Sequence, residues 1–195
     1  TSTSKALSGL SPSTTYYWHV RANNVTGTTY SNSSSTVFWS FTTSAIASGG
    51  GGTTGVFRPS NGLLYLKNQN TTGFADVAIN YGTGGDYPVA GDWDGNGTAT
   101  IGIYRNGSFY LRNSNTLVFA DIVFAFGTPG DQPVAGDWDG DGVDTIGVYS
   151  NGQFLLRNSN SAGAANMSFF LGNPGDVGIA GDWNGDGSDT TGVFR

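Results

Sequence analysis

The sequence contains no cysteine and no glutamate, and only 11% of its residues are charged. The absence of cysteine excludes disulfide bonds and thiol chemistry. All 14 acidic residues are therefore aspartate, which favours turns and metal-binding loops, whereas glutamate favours helices. Lysine and arginine number only 8, so the formal net charge is −6. This charge argues against a nucleic-acid partner, because such a partner requires a basic face.

Long apolar segments are also missing. No run approaches the roughly 20 residues that a membrane-spanning helix needs, so membrane insertion is not expected. The sequence begins at Thr1 without a methionine and shows no signal peptide. We interpret it as a mature exported protein or as part of a longer polypeptide, and we expect an extracellular or cell-surface location.

Small and polar residues dominate what is present, with 32 glycines and 13% aromatic residues among 195. This composition favours many short strands joined by tight turns and predicts an all-β protein. The sequence divides into three regions. Residues 1–43 contain segments of alternating aromatic residues, residues 44–53 read as a Gly/Ser linker, and residues 54–195 are an internal repeat.

The repeat has a period of 45 residues, which separates Asp92, Asp137 and Asp182. Each unit is predicted to form four short strands, because turn-forming residues such as Asn-Gly separate its apolar segments. The predicted strands of the second unit are 101–105, 108–113, 121–126 and 133–138. Four antiparallel strands in about 40–50 residues is the size of a propeller blade. The sequence therefore predicts an array of blade-like, four-stranded units.

The array contains three full units plus one strand, because TGVFR occurs both at 54–58 and at 191–195. Three blades are fewer than the four or more of a closed propeller. Either the sequence is part of a longer protein, or the units stack openly, or several chains share a ring. The last strand is expected to be an orphan. Unpaired strand edges predict pairing with further copies of this chain or with more of the same polypeptide.

Each unit contains one loop of the pattern D-W-[DN]-G-[DN]-G. Oxygen-bearing side chains occupy positions 1, 3 and 5, the glycine at position 6 permits a sharp turn, and position 7 can present its carbonyl. Such spacing suits a hard cation, and an irregular, carboxylate-rich loop favours Ca²⁺ over Mg²⁺. The predicted ligands are Asp92, Asp94, Asn96 and the Thr98 carbonyl; Asp137, Asp139, Asp141 and the Val143 carbonyl; and Asp182, Asn184, Asp186 and the Ser188 carbonyl. The sequence thus predicts about three calcium ions, one for each loop.

These loops are not EF-hands. Position 12, where an EF-hand has a bidentate glutamate, is Ile103, Val148 or Val193, each within a predicted strand. Position 9 is threonine in every copy, and the aspartates at position 8, Asp144 and Asp189, are expected to point elsewhere. A metal-free alternative is the Asx-turn, in which the carboxylate accepts hydrogen bonds from backbone N–H groups.

The motif GDWDGDG followed by a GVY strand resembles the FG-GAP/VCBS-type calcium-loop repeats of bacterial surface proteins and integrin-like propellers, over about residues 54–195. This resemblance implies blades that contain structural calcium, in a module for adhesion or display. That family usually has aspartate at position 9, where this sequence has threonine.

The N-terminal region, LSGLSPSTTYYWHVRA together with VFWSFTT, resembles the last strands of a fibronectin type III domain. The resemblance places Leu10 and Tyr16 at the tyrosine corner of that fold, and Trp18, Val20 and Ala22 facing inward. The first half of such a sandwich is not part of this sequence, so its core is not expected to close alone.

Two classes of function stay open. The first is a calcium-stabilised structural or adhesive module of a surface or filament-forming protein. The second is a lectin-like propeller that binds a glycan or a cell-surface protein as part of a larger secreted protein. The tryptophans Trp93, Trp138 and Trp183 either pack between blades or stack on sugars.

Other recurring side chains have similar alternatives. Lys67, Arg112 and Arg157 occupy one strand position in successive units, where they either form internal hydrogen bonds or recognise a repetitive polymer. The one histidine, His19, is interpreted as a surface residue. No pattern unites a nucleophile, a base and a cleft, so enzymatic activity is not expected.

Overall fold

The computed structural model describes residues 15–18, 21–24, 27–30, 39–42, 52–116 and 119–195. These residues form strands and turns, which confirms the predicted all-β class. Across the described ranges, no helix has the length and apolar character required to span a membrane. The chain separates into two compact units, Thr1–Gly52 and Thr53–Arg195.

In the first unit, the described strands form two antiparallel pairs. The strands are β1 (Thr15–Trp18), β2 (Arg21–Asn24), β3 (Gly27–Tyr30) and β4 (Trp39–Thr42). Strand β1 pairs with β4, and β2 pairs with β3. Tyr16 is half-buried whereas Tyr17 is exposed, as expected for a strand with one buried face. The predicted roles of Leu10 and Val20, and those of the Trp18 and Ala22 side chains, fall outside the described residues.

In the second unit, the described strands form antiparallel sheets of three, four, four and two strands. The first sheet contains β5 (Gly55–Arg58), β6 (Leu63–Leu66) and β7 (Val77–Asn80). The second contains β8 (Tyr87–Gly91), β9 (Thr100–Arg105), β10 (Ser108–Leu111) and β11 (Ile122–Ala125). The third contains β12 (Gln132–Gly136), β13 (Thr145–Ser150), β14 (Gln153–Leu156) and β15 (Met167–Phe170), and the last contains β16 (Val177–Gly181) and β17 (Thr190–Phe194).

The sheets begin one strand earlier than the predicted units. The strand at 133–138 was predicted to close the second unit, but β12 pairs with β13 of the next sheet, with Val134 opposite Gly147. The aspartate loop is the turn of this hairpin, so the strands that flank it become antiparallel neighbours. The prediction of an orphan strand at 191–195 was therefore wrong, because β17 pairs with β16 along its whole length.

The predicted Asn-Gly turns connect the second and third strands of the two complete sheets. Asn106 and Gly107 have φ values of 48° and 84°, and Asn151 and Gly152 have values of 50° and 88°. Positive φ at both central residues is the requirement of a type I′ turn, whose twist matches the flanking strands. The sequence signal and the backbone agree at these two hairpins.

The core lies between successive sheets. Phe109 and Leu111 of β10 pack with Ile146 and Val148 of β13, and each of these side chains is completely buried. Burial alternates along β11, which lies within the predicted strand at 121–126, since Phe124 is buried while its neighbour Val123 is exposed. Each of the first three sheets thus buries one face against the following sheet.

The first strands of three sheets, β8, β12 and β16, lie beside one another. The Gln132 side chain joins β12 to β16, because its amide donates to the Gly178 carbonyl at 3.2 Å and accepts from the Gly178 N–H at 3.0 Å. This arrangement brings the loops that follow these strands close together. Closure of the sheets into a ring stays a prediction.

Candidate metal loops

Each aspartate loop is the turn of a hairpin between the first two strands of a sheet. In the second loop, the glycines at positions 4 and 6, Gly140 and Gly142, have φ values of 74° and 87°. These values lie in the left-handed region that favours glycine. The backbone therefore folds back on itself, as the glycine pattern predicts.

The second loop gathers three carboxylates. One oxygen from each of Asp137, Asp139 and Asp141 lies within 4.8 Å of the other two. Asp137 is 9% exposed, whereas Asp139 and Asp141 are open to solvent. Two like charges about 4 Å apart repel by roughly 1–4 kcal/mol at effective dielectric constants of 80 to 20. This acidic triad can hold a metal ion.

The aspartate at position 1 organises the loop backbone. Asp137 Oδ1 accepts hydrogen bonds from the N–H groups of Gly140 and Asp141, and Oδ2 accepts from the Gly142 N–H at 2.8 Å. The first aspartates of the other loops make comparable bonds. In the third loop, the Gly187 N–H is the largest of several influences that hold the pKa of Asp182 below its ordinary value. These are the bonds of the Asx-turn alternative, and three such bonds leave about one of the roughly four acceptor sites of a carboxylate open.

The first and third loops each contain two aspartates and one asparagine among positions 1, 3 and 5. In the third loop, the Asn184 amide donates to Asp186 Oδ2 at 2.8 Å. A bound cation requires an oxygen rather than an N–H group from Asn184, so it would replace this bond. Because positions 1, 3 and 5 are all aspartate only in the second loop, that loop has the most negative charge of the three.

The position 7 residues Thr98, Val143 and Ser188 donate their backbone N–H groups to the position 5 side chains, each at 2.9 Å. This bond orders the exit of the loop. Metal ligation by the carbonyls of the same three residues stays a prediction.

The aspartates at position 8 join successive loops. The Asp92 N–H donates to Asp144 Oδ2 at 2.7 Å, and the Asp137 N–H donates to Asp189 Oδ2 at 2.8 Å. Burial raises the pKa of Asp144; the Asp92 N–H opposes this change, and the carboxylates of Asp189, Asp92 and Asp137 add to it. Sequence reasoning missed this role. Its only signal was that the first copy has Ala99 where the later copies have aspartate.

The threonine at position 9 closes the hairpin. The Thr145 hydroxyl donates to the Gly136 carbonyl at 3.3 Å. The Thr100 hydroxyl lies 3.3 Å from the equivalent Gly91 carbonyl and 2.5 Å from the carbonyl of Arg112, which directly follows β10. Both threonines are buried. The side chain at this position is thus engaged with the strand before the loop.

The loop tryptophans pack between sheets where a following sheet is present. Trp93 and Trp138 are 4% and 7% exposed, whereas Trp183 is 60% exposed. Trp138 contacts a cluster that includes Val134 and Phe154. The burial of the first two tryptophans favours packing over sugar stacking, because a sugar cannot reach the face of a buried ring.

The recurring basic residues form hydrogen bonds within their own units, at Lys67, Arg112 and Arg157. Arg112 is completely buried and its Nε donates to Asp121 at 3.3 Å. Lys67 donates to the Phe74 carbonyl at 3.0 Å. Arg157 likewise donates to nearby serines of its own unit. These bonds favour the structural alternative over recognition of a polymer, and His19 lies outside the described residues.

Searches of family models, curated proteins and solved structures found no match to this chain.

Proposed function

We propose that this protein is an extracellular structural or adhesive repeat module whose blade-like sheets are stabilised by about three calcium ions, one for each loop. The observation that carries the proposal is the acidic triad of Asp137, Asp139 and Asp141, whose oxygens converge within 4.8 Å. The triad lies in a loop whose backbone is already held by the first aspartate. A ligand set that is ordered before binding loses less entropy when it captures an ion.

The ion is calcium because all the side-chain ligands are carboxylates or amides and the loops are irregular. The ligands are those predicted from the sequence, with Asp92, Asp94 and Asn96 in the first loop and Asp182, Asn184 and Asp186 in the third. Charge balance supports this stoichiometry, since about three divalent ions offset a net charge of −6. The ions have a structural rather than a catalytic role, and no enzymatic activity is proposed for the protein.

The bonds between loops make calcium a stabiliser of the array as well as of single hairpins. Asp144 and Asp189 each accept a hydrogen bond from the first aspartate of the preceding loop. An ion that holds the first aspartate therefore also holds the contact with the next sheet. Such coupling suits a module that spans distance or displays another domain.

The exposed apolar face of the last sheet supports assembly with further copies of this chain or with more of the same polypeptide. Three of its residues, Ile179, Trp183 and Phe194, are 41%, 60% and 68% exposed, whereas their equivalents Val134, Trp138 and Tyr149 are 5%, 7% and 4% exposed. Surface of this kind is normally covered by a partner. A cell-surface protein or a glycan remains the proposed target of the adhesive role.

The test is the thermal unfolding of the whole chain in calcium and in chelator. A ligand that binds only the folded state stabilises it by about 2.7 kcal/mol per site at 100 times its dissociation constant. We expect clearly separated melting curves, and calorimetric titration should give about three sites. Coincident curves, with no heat of binding at millimolar calcium, would refute the proposal and favour metal-free Asx-turns.

A further inference from the structure

A cavity of about 620 Å³ lies among strands β8, β12, β13 and β16. Its lining includes Tyr87, Asp131, Tyr149, Ser150 and Asp176. The volume is within the range of about 300–1,000 Å³ that is typical of small-molecule sites. None of the proposed calcium ligands lines it.

In two other sheets, an arginine side chain pairs with the aspartate that corresponds to Asp131. Arg105 donates from Nε to Asp86 Oδ1 at 2.7 Å and from Nη2 to Oδ2 at 2.6 Å. Arg195 makes the same two bonds to Asp176, each at 3.0 Å. In both cases the arginine follows the aspartate by 19 residues. Each pair is a bidentate match between a planar guanidinium and a carboxylate.

The middle sheet retains the aspartate but has no arginine at the position that corresponds to Arg105 and Arg195. Asp131 is 6% exposed, and the residue 19 positions later is Ser150. Asp131 Oδ2 accepts from the Thr128 N–H at 2.7 Å and from the Thr128 hydroxyl at 3.1 Å. Among the described residues, no side chain donates to its Oδ1 and none forms an ion pair with it. A buried carboxylate without a cationic partner is energetically unfavourable.

We propose that this cavity binds a guanidinium cation, which makes with Asp131 the bidentate contact that an arginine makes in the neighbouring sheets. Asp176 also lines the cavity, but its two oxygens are engaged by Arg195. The free oxygen of Asp131 therefore determines the orientation of the ligand. The ligand is a small alkylguanidine or an arginine side chain of another protein, since both present the same planar group.

The site selects guanidinium over ammonium. A planar guanidinium has the fork of donors that fits a carboxylate, whereas an ammonium group is a strongly hydrated point charge. Leu155 occupies the position of Tyr110, whose ring lies 5.5 Å from the Arg105 guanidinium carbon. No aromatic ring at position 155 stacks on the ligand, so its binding depends on the Asp131 carboxylate and on the wall of the cavity formed by Tyr87 and Tyr149. We therefore expect millimolar affinity.

The experiment is an NMR titration of the ¹⁵N-labelled whole chain with N-methylguanidinium chloride, at constant calcium and ionic strength. We expect saturable shifts of the Thr128, Asp131 and Asn151 amides. Methylammonium should bind about tenfold more weakly, because it lacks the fork. A Gly-Arg-Gly peptide distinguishes the sources: comparable binding assigns an arginine side chain, and exclusion of the peptide assigns a small alkylguanidine.

The decisive variant is Ser150→Arg, which restores the internal partner of Asp131. It should abolish the shifts caused by N-methylguanidinium, whereas Thr71→Arg, which adds the same charge at an exposed loop residue, should preserve them. Asp131→Asn should also abolish binding, and if that variant fails to fold, Ser150→Arg still decides the question. Shifts that persist in Ser150→Arg, equal binding of methylammonium, or the absence of saturable shifts in the unsubstituted chain would overturn the proposal.

Discussion

Asp92 and Asp144 exchange two hydrogen bonds across the gap between successive sheets. The Asp92 N–H donates to Asp144 Oδ2 at 2.7 Å, and the Asp144 N–H donates to the Asp92 carbonyl at 2.9 Å. Asp137 and Asp189 repeat this exchange one unit later. The contact joins two hairpin loops that are 52 residues apart in the sequence. Each loop is therefore anchored by its neighbour as well as by its own strands.

Substitution of a position 8 aspartate should weaken the array. Asp189→Ala leaves the half-buried Asp137 N–H without its acceptor, and an unsatisfied group of this kind costs about 1–3 kcal/mol. Urea unfolding followed by tryptophan fluorescence measures the loss. Ala99→Asp is the matched control, because Ala99 is exposed at the same loop position, and we expect a change within about 0.5 kcal/mol. Equal effects of the two substitutions would contradict the anchoring role.

Substitution within the acidic triad should remove one calcium ion. Asp141→Ala removes the position 5 oxygen ligand from the second loop, whereas an asparagine there would reproduce the ligand set of the first loop. Calorimetric titration should show about one site fewer than the unsubstituted chain. Asp76→Asn is the control, because Asp76 lies outside the loops and the equivalent residue of the third unit is Asn166. An unchanged stoichiometry in Asp141→Ala would exclude this loop as a metal site.

The loop tryptophans should contribute very differently to stability. Trp138→Ala removes a ring that is 7% exposed, and such substitutions cost about 3–5 kcal/mol. Trp183→Ala removes a ring that is 60% exposed, and we expect a loss below about 1 kcal/mol. Denaturant unfolding of the two variants, at a protein concentration low enough to keep the chain monomeric, tests the difference. Similar losses would show that Trp183 is covered in solution.

The bidentate ion pairs should make stability fall in acid. Burial opposes ionisation of Asp86, but bonds from Arg105 and from the Thr83 N–H outweigh it and hold the pKa of Asp86 below its ordinary value. The bond from Arg195 likewise lowers the pKa of Asp176. Because these values are lower in the folded state, the stabilisation is present above the ordinary aspartate pKa of about 3.9. It is lost as the pH falls through the folded values.

The corresponding variant is Arg105→Gln. It should lower stability at neutral pH by about 1–3 kcal/mol, because Asp86 is buried and loses two charge-assisted bonds. It should also flatten the decline of stability below about pH 4. The measurement is denaturant unfolding between pH 2 and 7 in chelator, which removes the contribution of calcium to the titration. An acid dependence as steep as that of the unsubstituted chain would exclude the pair as its source.

The apolar face of the last sheet should drive association. Size-exclusion chromatography with light scattering should show a mass that increases with concentration, and Phe194→Asp should reduce this increase. Phe74→Asp is the control, because Phe74 is 96% exposed in a loop of the first sheet. A monomer with protected amides at Gly192–Phe194 would show that this face needs no partner.

The features that the sequence predicts well are local. The Asn-Gly turns at 106–107 and 151–152 depend on positive φ at adjacent residues, which the residue types themselves favour. The acidic triad is similar, because Asp137, Asp139 and Asp141 lie within five consecutive residues and two glycines turn the chain around them. The period of 45 residues is likewise evident from the spacing of identical residues along the chain.

The boundary of a sheet could not be found in the same way. A repeat has the same period wherever its first residue is placed, so periodicity is equally consistent with a unit that begins at β8 or at β9. Hydrogen bonding between β8 and β9 settles the choice. This is also why the strand at 191–195 appeared to be an orphan, although β16 pairs with it.

The sequence by itself determined the all-β class, the repeat period, the turns and the clustering of carboxylates within a loop, because each depends on residues close together along the chain. Only the tertiary structure decided the partner of Asp144, the different exposure of Trp138 and Trp183, and the Arg105–Asp86 ion pair that has no counterpart at Asp131. Residues that are identical in the repeat have different surroundings, because their environment depends on which sheet lies beside them. The physical reason is that burial and hydrogen bonding between sheets are non-local, and no repeat motif specifies them alone.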